Sequence, residues 1–127
     1  MIVRIDLNSG EPLYSQLSNQ IKYGVAKGYL KPGEALPSVR SLASEIGINL
    51  HTVSKAYRML KDEGIIVINR GKGVKVSEDV LKNRSSSYKA VLEEKILKLI
   101  SEGLCNGIKE EEFILLVKKT FKSLEDK

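Results

Sequence analysis

Two residues, Gly47 and Ile48, separate two segments that each carry helical periodicity, and that short break constrains the chain more than any other feature. Before it, Ser38 is placed to cap a short helix with Leu42, Ala43 and Ile46 on its buried side. After it, Asn49 is placed to cap a second helix by accepting from the N–H of His51 or Thr52. In that second helix Val53, Ala56, Tyr57 and Leu60 fall at i, i+3, i+4 and i+7, until Gly64 stops it. Two short helices joined by a tight glycine-containing turn make a helix-turn-helix.

The flanking segments extend this unit. Upstream, Pro12 suits a first helical position, and Leu13, Leu17, Ile21 and Val25 form one apolar stripe that ends at Gly28. Lys31-Pro32-Gly33-Glu34 reads as a turn. Downstream, Ile65 to Ile68 is a β-branched run, Asn69 to Gly73 a turn, and Val74-Lys75-Val76 alternates apolar and basic. The expected fold is therefore mainly α with a small β-hairpin: a winged helix-turn-helix domain over residues 1–77.

Residues 78–127 are expected to form a linker and a C-terminal helical hairpin. The polar stretch from Ser77 to Ser87, with Ser85-Ser86-Ser87, is either a linker or the solvated start of a long helix capped by Ser77, and the second is the expectation. Val91, Leu92, Ile96, Leu99 and Ile100 carry helical spacing as far as Gly103, and Asn106-Gly107 connects to a last helix. There Glu110 to Glu112 occupy the first turn, where negative charge suits the helix dipole. Phe113, Val117, Phe121 and Leu124 form its stripe, widened by Ile114 and Leu116. Two helices alone cannot cover apolar faces this wide. A second copy is the simplest cover, so Leu92, Ile96, Leu99, Phe113, Ile114, Val117 and Phe121 are the candidate dimerisation residues. The alternative is that the pair folds back onto the N-terminal domain.

Charge is distributed unevenly between these parts. Residues 1–77 hold 11 Lys and Arg against 6 Asp and Glu, whereas residues 78–127 hold 10 of each, so the whole +5 excess lies in the first part. That is the pattern of a part that meets a polyanion beside a part that does not; a merely solvated basic surface is the other reading. A single cysteine, Cys105, excludes an intrachain disulfide. The start lacks a secretory pattern and the longest apolar run is only Phe113 to Val117, so no membrane contact is expected and the expected compartment is the cytoplasm. An enzyme is not expected from one histidine, one cysteine and no nucleophile–base motif. No cofactor or metal is expected either: His51 and Cys105 are far apart, and Arg70-Gly71-Lys72-Gly73 lacks the spacing of a phosphate-binding loop.

In order along the chain stand Pro12-Leu13-Tyr14 with Gln16-Leu17, Gly28-Tyr29-Leu30-Lys31-Pro32-Gly33, and Leu36-Pro37-Ser38-Val39-Arg40-Ser41-Leu42-Ala43. They are followed by Gly47-Ile48-Asn49, Thr52 to Tyr57, Leu60 with Glu63-Gly64-Ile65, and Arg70 to Gly73 with Val76. As an ordered set these resemble the DNA-binding domain of the GntR family of bacterial transcription regulators, and the short two-helix tail looks like that of its YtrA subfamily. The resemblance implies a winged helix-turn-helix homodimer on a roughly palindromic double-stranded DNA operator, with Arg40 contacting DNA. Leu50 and Ser54 stand where relatives with larger effector domains place arginines, so no base preference carries over.

On the second helix of the motif, the face opposite the core carries His51, Thr52, Ser54, Lys55 and Arg58. Residues near the start of a recognition helix reach base edges, which His51, Thr52 and Ser54 can read by hydrogen bonding. Lys55 and Arg58 suit phosphates. Ser38, Asn49 and, at the hairpin tip, Arg70, Gly71 and Lys72 complete the candidate DNA-binding set. A solvated helix face and a plain hairpin turn are the bland alternatives, and Tyr14, Tyr23 and Tyr29 read as packing residues rather than a stacking platform. The expected function is a sequence-specific DNA-binding regulator, a repressor; the alternative is a winged-helix adaptor that binds protein without specific DNA binding. The tail is too small to enclose a small-molecule effector by itself, and an unidentified effector at a dimer interface stays open.

Overall fold

In a computed structural model describing residues 3–82 and 86–125, the first helix starts one residue later than proline chemistry suggested. Pro12 is the residue before α1 (Leu13–Lys27), with ψ at 146°, so its fixed φ leads into the helix rather than forming part of it. The chain continues as β1 (Ala35–Leu36), α2 (Val39–Ile46), α3 (Leu50–Asp62), β2 (Ile66–Asn69) and β3 (Gly73–Val76), then α4 (Ser86–Cys105) and α5 (Glu110–Glu125). It divides into two compact units, Met1–Leu81 and Lys82–Lys127. The first unit passes the Ser77 boundary by four residues because Val80 joins its core.

The wing is a three-stranded antiparallel sheet in the order β1-β3-β2. β2 and β3 form the expected hairpin, with Ile66 opposite Val76 and Asn69 opposite Gly73. β1 was not anticipated. It pairs Ala35 with Lys75 and Leu36 with Val74, and two residues before a proline carry no alternation to read. Leu17 and Ile21 of α1, Leu42 of α2, Val53, Tyr57 and Leu60 of α3, and Ile66 and Val76 of the sheet close one core around themselves. Gly47 turns the chain between α2 and α3 at φ 71°, a left-handed conformation that strains any residue with a Cβ.

The segment before α1 is tied down by two side-chain amides. Gln16 accepts from the Asp6 N–H (2.9 Å) and donates to the Asp6 carbonyl (3.0 Å) and the Glu11 carbonyl (2.9 Å). One turn on, Gln20 accepts from the Arg4 N–H (2.7 Å) and donates to the Arg4 carbonyl. Four helical residues rise about 6 Å and two extended residues about 6.6 Å, so amides at i and i+4 match peptide groups at j and j−2. Each glutamine thus acts as a neighbouring strand would, and Val3 and Ile5 pack against the core.

Ser77 does not cap a long helix. It is buried, its Oγ accepts from the Asp79 N–H (3.2 Å) in a local turn, and α4 begins at Ser86. Of the serine run, Ser85 lies outside the described residues. The two tail helices meet near their connecting turn, where the Phe113 ring lies against Gly103 and leaves no room for a Cβ. No residue of α5 is buried, and Val91, Leu92, Ile96, Leu97, Leu99 and Leu104 of α4 remain 40 to 61% exposed. The cause is in the sequence: these apolar residues spread around α4 instead of lining one stripe.

Replacing Gln16, itself only 7% exposed, tests the amide ladder. Gln16→Ala leaves Asp6 and Glu11 backbone groups without their partner and should cost about 1–3 kcal/mol of stability in chemical denaturation. Unchanged stability would mean that water satisfies those groups as well as the amide does.

Candidate nucleic-acid interface

The core-facing residues of α3 fix which of its residues face outward. With Val53, Ala56, Tyr57 and Leu60 buried, His51, Lys55 and Arg58 are exposed, and Thr52 and Ser54 are half-buried beside them. The Asn49 side chain accepts from the His51 N–H at 2.7 Å, and the Ser38 hydroxyl accepts from the Ser41 N–H at 3.1 Å. Both residues therefore cap helices, setting where α3 and α2 begin. Arg40, two residues past the Ser38 cap, is exposed on the first turn of α2.

One hydrogen bond joins the body of α3 to the start of α2. The Tyr57 hydroxyl, on the buried face of α3, donates to the Pro37 carbonyl at 2.8 Å, immediately before the α2 cap. Tyr57 was readable as a core residue from its spacing. Its partner was not, although a buried phenol must find one. Burial pushes the Tyr57 phenol up to about 12, with a smaller push in the same direction from the Glu45 charge, so it remains a donor at physiological pH.

At the hairpin tip the Lys72 N–H donates to the Asn69 carbonyl at 3.0 Å, closing the turn beneath Arg70, Gly71 and Lys72. All three are exposed, and the space around Gly71 is open. The first turn of α2, the outer face of α3 and the wing tip thus belong to one unit built on one core. Lys55 departs from expectation: its ammonium lies over the Tyr14 ring, 3.9 Å from the centroid. The sequence presents Tyr14 as a packing residue, and no local spacing signals a contact between α1 and α3.

The candidate dimerisation residues belong to the other unit. Leu99, Phe113, Val117 and Phe121 line one groove of about 430 Å³ together with Leu116 and Leu124. Leu92, Ile96 and Ile114 are exposed but do not line it. Leu97, Leu104 and Leu115, absent from the candidate set, are 58 to 67% exposed and enlarge the apolar surface. Among the described residues no cluster of side chains could hold a metal ion, and no helix is long and apolar enough to cross a membrane.

Residues 13–76 match the family described as bacterial regulatory proteins, gntR family. The HTH-type transcriptional repressor YtrA of Bacillus subtilis strain 168 is 39% identical over 110 residues, which is 87% of this chain and 85% of that protein. Among solved structures, a transcriptional antiterminator from Listeria monocytogenes EGD-e superposes with a TM-score of 0.89 at 32% identity, covering 98% of this chain and 92% of that one. YtrA from Sulfolobus acidocaldarius, a GntR-family transcription factor, gives a TM-score of 0.64 at 40% identity, covering 80% of this chain and 99% of that one.

The Tyr57 bond has a pH signature. A phenol held above its ordinary value of 10.0 stabilises the fold fully below pH 10, and that contribution is lost as pH rises toward 12. Denaturation midpoints measured from pH 8 to 12 should fall over the upper part of that range, and Tyr57→Phe should remove this part of the fall. A midpoint that falls identically in both proteins would assign the pH dependence to other groups.

Proposed function

Because the chain belongs to the GntR family of bacterial regulatory proteins, we propose that it binds a roughly palindromic operator as a homodimer and represses transcription there. The observation that carries this is the outer face of α3. It presents donors and cations opposite a fully buried inner face, within residues 1–77, which carry the whole +5 excess.

His51, Thr52 and Ser54 read base edges from the first turns of α3, and Thr52 adds a methyl group suited to thymine. Arg40 enters from the start of α2 with the five donors of a guanidinium, a geometry that pairs with guanine through two hydrogen bonds. Arg58 and Lys55 engage phosphates, and Arg70 and Lys72 clamp the backbone or minor groove beside the wing. Caps at Ser38 and Asn49 aim the two helices, so their contribution to DNA binding runs mainly through position. The uncovered tail faces supply the reason for two copies. Pairing them removes an apolar surface larger than soluble monomers ordinarily keep, and brings two recognition helices to one duplex. Repression is the role of the YtrA relative in Bacillus subtilis, and comes to this chain through that similarity.

Selection from a random duplex library should return an inverted repeat with half-sites about one helical turn, or a multiple of it, apart. On that site Arg40→Ala should lose about 1–3 kcal/mol of specific affinity while binding to random DNA changes little. Equal losses on both would move Arg40 to a phosphate. Replacing Arg70 and Lys72 together with Ala should weaken binding to every sequence and lower the salt slope by about two for each subunit bound. A protein that selects no site, and whose weak DNA binding is insensitive to salt, would favour the adaptor reading instead.

A further inference from the structure

Lys55 lies on the outer face of α3, one turn beyond His51 and beside Ser54. Its ammonium rests on the Tyr14 ring, in the first turn of α1. Further along the same helix pair, Lys22 of α1 meets Glu63, just past α3, at 2.8 Å. Both contacts join residues 41 positions apart in sequence, so α1 and α3 lie side by side and run in the same direction. The start of α1 therefore borders the half of α3 that carries the base-reading residues.

The two groups have complementary chemistry. An ammonium over a ring uses one side for the π face and keeps N–H donors for an anion on the other. The phenol adds an O–H donor at the edge of that ring. A charged donor and a neutral donor at one place, on a surface of net positive charge, suit the oxygens of a phosphodiester. The ring also holds a long side chain that otherwise loses rotamer freedom when it meets its partner.

We propose that Tyr14 and Lys55 together hold one backbone phosphate of the DNA, so that the interface runs from α3 onto the first turn of α1. This rests on the DNA-binding reading and deepens it by adding Tyr14 to the contact surface. It also assigns the Lys55–Tyr14 contact a purpose beyond packing: it presets a phosphate site at the flank of the groove that α3 enters.

The experiment uses the full chain and a mixed-sequence DNA duplex, with anisotropy titrations over a range of salt. The unsubstituted protein must first bind with an affinity that falls as salt rises; if it does not, the DNA reading fails, and this proposal with it. Given that binding, Lys55→Gln should lower the salt slope by about one for each subunit bound. Tyr14→Phe keeps the ring beneath the ammonium and removes only the hydroxyl. It should leave the slope unchanged and weaken binding about three- to tenfold. The double variant should lose less than the product of the single losses, because both act on one phosphate. Wild-type affinity in Tyr14→Phe, or losses that simply multiply, would overturn the shared site while leaving DNA binding itself intact.

Discussion

α3 must serve as a wall of the core and as the outer face of the protein, and the rest of the first unit is arranged around that double duty. Its four core positions, Val53, Ala56, Tyr57 and Leu60, have no exposure at all. With its inner face locked, the helix cannot rotate to hide His51 or Arg58, and cannot slide without breaking the Tyr57–Pro37 bond. That bond carries the constraint across to α2, whose first turn holds Arg40. The Asn49 and Ser38 caps fix the starts of the two helices, and the left-handed Gly47 sets the turn between them. A domain with one small core thus holds three outward-facing elements in fixed relation while His51, Arg58 and Arg40 stay exposed.

The tail obeys the opposite rule. Its helices carry apolar residues on more sides than two helices can cover, although Phe113 lies over Gly103 and Leu99 shares a groove with α5. Burial of apolar surface contributes roughly 25 cal/mol per Å², so a surface of this size left in water is a standing cost that association removes. In the proposed account this association does more than stabilise the tail. Two weakly binding units become one bivalent binder, and the second half-site is met at the high effective concentration that linkage provides.

What was legible in the sequence was local. Caps, stops and the spacing of buried residues act within a few positions, so Ser38, Asn49, Gly47 and the stripe from Leu17 to Val25 could be placed without knowing the fold. What was not legible depends on partners distant in sequence. β1 exists because β3 lies beside it, not because Ala35 and Leu36 prefer to be a strand. Gln16 and Gln20 look like ordinary polar helix residues until the chain before α1 folds against them. Ser77 has the composition of a helix cap, but Val80 reaches into the core and turns the chain first. The apolar excess of the tail is visible as periodicity, while Leu97, Leu104 and Leu115 fall off the stripe and so carry no periodic signal.

The central claim is that a second copy covers the tail, and so two α3 helices act on one DNA. Sedimentation equilibrium of the full chain at micromolar concentration addresses it most directly. The account predicts a species of twice the 14.1 kDa chain mass, shifting to monomer when Phe121 and Val117 are both replaced by Asp. A stable 14.1 kDa monomer from the unsubstituted chain would contradict it.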